Sequence, residues 1–224
     1  MKEEKEPILL LHGFASSGQS TKARYFQNKF GERSDVSFSA LDFNPTPADF
    51  RYMTTTALID RLRQYVLDHR LEQVHPERLR LIGSSFGGAV AVHYAHRYGG
   101  VGRLLLLAPA LVPVTGWVSE EEAARWKAAG VVPIYHFGFE RELPLGYALY
   151  EDARHYQEFV PPAAPALIVH GSHDEQVPVE QSRAYAARWP EQVRLVEVDA
   201  GHDLNGHLDL IWQEAVPFLL GGGE

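Results

Sequence analysis

The chain has 224 residues, 45% of them hydrophobic and 22% charged; this suffices for one sizeable domain burying roughly 70–75% of its unfolded surface and excludes a disordered or fibrous chain. Lys and Arg number 21 against 29 Asp and Glu, and the resulting net charge of −8 repels polyanions, so nucleic acid is not expected as a partner. With no cysteine there is no disulfide framework, thiol nucleophile or Cys-ligated metal, and any chemistry must come from oxygen and nitrogen groups.

Met1 to Pro7 carries charges of both signs, and only a short apolar run follows before His12. Neither a signal peptide nor a membrane span is expected from it, and a cytoplasmic location is. Apolar runs with the character of buried strands occur at Pro7 to Leu11, Val36 to Leu41, Leu79 to Ile82, Leu104 to Leu107, Ala166 to His170 and Val193 to Val198. Between them, apolar positions three and four apart predict helices over Ser20 to Phe30, Thr54 to Leu71, Phe86 to Tyr98, Val179 to Trp189 and Leu204 to Leu220, the last bent or shortened by Pro217. Such alternation predicts an α/β fold: a mostly parallel central sheet with helices on both faces, forming one domain over residues 1–224. Val112 to Pro162 breaks the pattern, being irregular, interrupted by proline and rich in aromatic residues. It reads as an inserted lid of one or two helices, Ser119 to Ala129 with Ser119 as N-cap and Gly146 to Phe159.

The chemistry centres on Gly83-Ser84-Ser85-Phe86-Gly87, followed by Gly88, between a predicted strand and a predicted helix. The bare pentapeptide arises by chance, but the strand-turn-helix setting gives it meaning. A sharp turn that lifts its central serine off the sheet edge crowds strand against helix, so the flanking positions must be nearly free of side chain. Gly83 and Gly87 supply that space, which makes Ser85 rather than Ser84 the candidate nucleophile. A hydroxyl needs a base, and the base an orienting acid. His202, in Ala200-Gly201-His202-Asp203 after the last strand, is the candidate base among eleven histidines. Asp174, just past the strand ending at His170, is the candidate acid, with Glu175, Asp199 and Asp203 as competitors. Two main-chain N–H groups, of Phe14 in the loop after the first strand and of Phe86, are expected to receive an oxyanion.

These segments, together with Leu10-Leu11-His12-Gly13-Phe14, His170-Gly171-Ser172-His173-Asp174-Glu175-Gln176-Val177-Pro178 and Gly201-His202-Asp203, resemble the α/β-hydrolase fold family in order and placement across nearly the whole chain. The stretch from His12 to Ala23 resembles the small, lightly lidded branch that contains bacterial esterases and mitochondrial depalmitoylating thioesterases. The resemblance implies a serine hydrolase working through an acyl-enzyme. It requires no organic cofactor and no metal, and its partner is a small-molecule ester.

Short to medium acyl or aryl esters are expected, lined by lid aromatics such as Trp117, Trp126, Tyr135 and Phe137, although these can equally be ordinary core residues. No Arg or Lys cluster is evident near the catalytic loops, which favours an uncharged ester over a phosphorylated one. An acyl-protein or acyl-CoA thioesterase, or a non-hydrolytic ligand-binding protein on the same fold, remains open, and oligomeric state is not legible. His12 is expected to pin the oxyanion loop rather than act as a base. His93 and His96, three apart on a helix, lack a third metal ligand and read as solvated or core residues, and His170, His173 and His207 as packing or supporting groups.

Overall fold

The computed structural model describes residues 5–71 and 78–221. Among these, β1 (Glu6–Leu11), β2 (Val36–Leu41), β3 (Leu79–Ser84), β4 (Val101–Leu107), β7 (Ala166–Gly171) and β8 (Val193–Val198) form a parallel sheet in the order β2-β1-β3-β4-β7-β8. The strands alternate their side chains between two apolar layers. Leu9, Leu11 and Leu81 face one, whereas Ile8, Leu10 and Ile82 face the other, which is why each strand reads as a continuous apolar run.

Two helices, α1 (Thr21–Gly31) and α8 (Leu208–Leu220), cover one face through Phe26, Phe30, Ile211 and Leu219. The other is covered by α3 (Thr55–Asp68), α4 (Phe86–Tyr98) and α7 (Glu180–Arg188), through residues such as Ile59, Leu62, Tyr94 and Tyr185. Local chemistry marks several helix starts: Ser20 Oγ accepts from Ala23 N at 3.3 Å, and Thr54 Oγ1 from Ala57 N at 3.0 Å. Pro217 is accommodated inside α8, near its end, with no early stop. The expected start of that helix moves from Leu204 to Leu208, because Leu204 takes a left-handed conformation (φ 55°) and a 3-10 turn spans Asn205–His207. The predicted helix from Thr54 to Leu71 is realised as α3, which ends at Asp68.

An additional short helix, α2 (Pro47–Tyr52), is built on a capping box. Thr46 and Asp49 bond each other's backbone, and Pro47 takes the first helical position.

Between β4 and β7 the expectation of helices is only partly met. There, α5 (Glu120–Ala129) has its Ser119 N-cap and a left-handed Gly130 (φ 73°) at its end, but the predicted helix from Gly146 to Phe159 shrinks to α6 (Ala148–Ala153). An antiparallel hairpin, β5 (Val131–His136) with β6 (Arg141–Gly146), lies between them in place of the expected lid helices alone. Pro133 pairs opposite Pro144. Proline argues against a strand in sequence and is tolerated here because each strand is an edge strand of a two-stranded ribbon.

The hairpin turn docks on the loop after β1, where Phe137 N donates to Ala15 O at 2.8 Å. His136 is buried beneath it, between the rings of Phe50 (4.8 Å) and Phe139 (4.7 Å), and neither ring nitrogen has a partner among the described residues. Burial therefore lowers its pKa and keeps it neutral.

Candidate active site

The chain leaves β1 toward β2 on one side and returns to β3 on the other, so the carboxyl ends of β1 and β3 flank a switch point where open α/β sheets hold their ligands. Both ends carry predicted site residues. Ser85 sits between β3 and α4 at φ 53°, ψ −118°, a strained conformation for a residue with a side chain. Its N–H donates to Leu107 O at 2.8 Å, and its carbonyl accepts from Gly88 N at 2.9 Å and Ala110 N at 3.1 Å, which locks the turn. A Cβ at Gly83 would lie 2.6 Å from Gly87 O, and one at Gly87 would lie 2.2 Å from Leu11 O and 2.6 Å from His12 O. The glycines are thus required for close approach, as the sequence pattern anticipated.

The three separated side chains meet. His202 Nε2 is 3.0 Å from Ser85 Oγ, and His202 Nδ1 is 2.7 Å from Asp174 Oδ2. The loop bearing His202 packs against the end of β7, with His173 N donating to Ala200 O at 3.0 Å. Asp174 is fully buried at its side chain and heavily bonded. Its Oδ1 accepts from Gln176 N (2.9 Å) and Val177 N (2.8 Å). Burial pushes its pKa up, but the N–H groups of Val177 and Gln176 and the neighbouring His202 outweigh this and hold the carboxyl below its ordinary value. Two competing acids take other partners: Asp199 pairs with His173 at 3.0 Å, and Asp203 accepts from Asn205 N at 2.9 Å.

Two histidines support this arrangement. His170 Nε2 lies 3.1 Å from Asp174 Oδ2 and 3.0 Å from Val177 O, both acceptors, so this nitrogen carries the proton while Nδ1, 2.7 Å away, accepts from Ser182 Oγ. It buttresses the acid, and nothing in the sequence except its position at a strand end distinguished it. His12 Nε2 accepts from Phe43 N at 3.0 Å, which leaves Nδ1 to donate to Gly13 O at 2.8 Å. The imidazole therefore ties β1's exit to the segment after β2, and a Cβ on Gly13 would stand 3.2 Å from Ser85 Cβ. Phe86 is the first residue of α4 and has no intrahelical use for its N–H, and the Phe14 N–H makes no backbone bond among the described residues. His93 instead packs edge-on against Tyr156 at 4.8 Å.

Two hollows meet at this site, and Phe14 and Ile134 line both. One, about 540 Å³, is apolar and lined by Trp117, Trp126, Val131, Leu145 and Leu149 among others. The second, about 730 Å³, holds Ser85 and His202 and is lined by Ser16, Gln19, Lys22, Tyr135 and Phe137 among others. The four predicted substrate-binding aromatics are therefore split. Trp117 and Trp126 share the apolar hollow, whereas Tyr135 and Phe137 (49% and 71% exposed) flank the mouth of the polar one. No Arg or Lys cluster is expected near the catalytic loops; the start of α1 nevertheless places two basic residues, Lys22 and Arg24, in the lining of the cleft that holds Ser85.

The parallel sheet, its switch point and the strained serine between β3 and α4 give the chain the α/β-hydrolase fold. Ferulic acid-bound Est1E from Butyrivibrio proteoclasticus superposes with a TM-score of 0.79 at 20% identity, covering 97% of this chain and 89% of that one. A monoacylglycerol lipase from Paleococcus ferrophilus gives 0.74 at 16% identity (96% and 95% covered), and mouse alpha/beta hydrolase domain-containing protein 10 gives 0.73 at 21% (96% and 90%). The chain belongs to the uncharacterised protein family UPF0227, which it matches over residues 7–219. No curated protein matches it by sequence. Among the described residues no helix is long and apolar enough to cross a membrane.

Proposed function

We propose that this protein is a serine hydrolase cleaving carboxylic esters of short to medium acyl or aryl acids. The observation that carries the reading is the unbroken chain of contacts from Asp174 through His202 to Ser85, at 2.7 Å and 3.0 Å. Ser85 Oγ attacks the ester carbonyl as its proton passes to His202 Nε2. The N–H groups of Phe14 and Phe86 receive the oxyanion, and Asp174 holds His202 in the Nδ1–H tautomer. The imidazolium then protonates the leaving oxygen as the carbon–oxygen bond breaks. Water, deprotonated by the same imidazole, releases the acid from Ser85. The apolar hollow beyond Phe14 suits the acyl part, and the segment from 112 to 162 serves as a lid over it. The ferulic acid and monoacylglycerol in the names of two structural neighbours are compatible with such a substrate.

A fluorophosphonate probe and a p-nitrophenyl ester test this directly. Wild type labels at Ser85 and hydrolyses the ester, and Ser85→Ala loses labelling and at least about 10³-fold in kcat/KM while unfolding at an unchanged temperature. Hydrolysis by that variant at the wild-type rate removes Ser85 from the mechanism.

A further inference from the structure

The leaving group of an acyl transfer sits on the side of the imidazole that protonates it. His202 lines only the polar hollow, together with its neighbours Asp203 and Asn205, and lines no part of the apolar one. The leaving alcohol is thereby assigned to the polar compartment and the acyl part to the apolar side of Phe14. Lys22 projects from the first turn of α1 into the polar compartment. It is only partly exposed, and it makes no hydrogen bond or ion pair among the described residues.

The other charged groups lining this hollow are Arg24, Glu140 and Asp203. Arg24 donates to Gln19 O at 2.6 Å, and Glu140 is exposed in the hairpin turn. Asp203, also exposed, accepts from Asn205 N and attracts the Lys22 ammonium from beyond bonding distance. Lys22 is therefore a cation lining the same hollow as the candidate nucleophile and base, with its donors unspent. Burial lowers its pKa, the mark of an ammonium that has lost water without gaining a full replacement.

We propose that Lys22 forms a subsite for an anionic group, a carboxylate or phosphate, carried by the leaving alcohol of the ester. This inference rests on the hydrolase reading above and narrows it: the acyl part is apolar, and the alcohol released is negatively charged. It replaces the expectation of an uncharged ester. Three donors on a flexible stem accept either oxyanion, and the mixed charge of the remaining lining keeps the cleft from holding anions indiscriminately.

The test compares three butanoate esters of phenols, bearing at the 3-position a carboxylate, a phosphate or the neutral carboxamide. Each is assayed with wild type, Lys22→Met and Lys22→Arg. Intrinsic reactivities cancel when the ratio of charged to neutral kcat/KM is compared between variants. Lys22→Met, which keeps the aliphatic stem, is expected to lower that ratio about tenfold, chiefly through KM, and Lys22→Arg to retain it within about threefold. The larger of the carboxylate and phosphate ratios identifies the natural anion. In wild type alone, raising salt to about 1 M, where screening acts over ~3 Å, should erode the preference. An unchanged ratio in Lys22→Met, or a wild-type preference indifferent to salt, overturns the subsite while leaving the hydrolase intact. Failure of wild type to hydrolyse any of the three esters overturns the hydrolase reading and the subsite with it.

Discussion

Replacing Gly87 by alanine forces a collision that the fold cannot easily relieve. The added Cβ would stand 2.2 Å from Leu11 O and 2.6 Å from His12 O, whereas ordinary contact begins at 3.4 Å. Neither obstacle is the free end of a side chain. Leu11 is the last residue of β1, held in register with Leu41 on one side and Gly83 on the other, and His12 is pinned through Phe43 and Gly13. Relief requires α4 and the end of β1 to separate, at a cost of about 3 kcal/mol from overpacking. For a chain of this size that corresponds to a fall in Tm of roughly 6–12 °C. The segment pushed aside leads into Phe14, one of the two proposed oxyanion donors, so kcat should fall more than KM rises. Thermal unfolding followed by circular dichroism, paired with ester kinetics, reads both effects. Gly31→Ala is the control, because nothing lies within 4 Å of its added methyl and alanine favours the helix by roughly 0.5–1 kcal/mol. A Tm for Gly87→Ala within about 2 °C of wild type would refute the close-approach argument and the turn geometry with it.

Two further predictions follow from the hydrogen bonds and the buried histidines. Asp174→Asn should lower kcat by about 10³-fold to 10⁴-fold: with its amide oxygen facing the Gln176 and Val177 N–H groups, its NH₂ faces His202 Nδ1 and imposes the tautomer that cannot accept the Ser85 proton. Residual kcat within tenfold of wild type would show that His202 does not depend on this acid. Stability should fall as the solution is acidified below neutrality, because burial, with Arg97 and His96 adding to it, lowers the His93 pKa to about 4. The unfolded chain then binds the extra proton from about pH 6.5 downward, at a cost of about 2 kcal/mol by pH 5, with His136 and His170 acting in the same direction. Urea midpoints at pH 7 and pH 5 should differ less for His93→Gln than for wild type, and equal differences would remove His93 as a cause.

The sequence by itself carried the sheet and the setting of the candidate nucleophile, for a local reason. Strands buried on both faces need unbroken apolar runs such as Leu104 to Leu107, and the turn at Ser85 needs glycines two residues to either side. Each requirement is met within a few residues and is therefore visible in the chain. The candidate base and acid could be named from their positions after strands, since a parallel sheet gathers such loops at one edge. The Thr46-Pro47-Ala48-Asp49 capping box is likewise a local signal, and it starts α2.

Tertiary structure alone decided what no local pattern encodes. The hairpin of β5 and β6 opposes Pro133 to Pro144, a pairing that strand preferences argue against, and its stability depends on docking against Ala15 and Phe50. His170 became the brace of Asp174 only because Ser182 and Val177 reach it from other turns of chain. The division of the aromatics of residues 112–162 between two hollows, and the placing of Lys22 in the hollow that holds Ser85, are likewise set by how helices and loops meet at the sheet edge. Burial and charge proximity depend on distances in space, and chain separation does not report them.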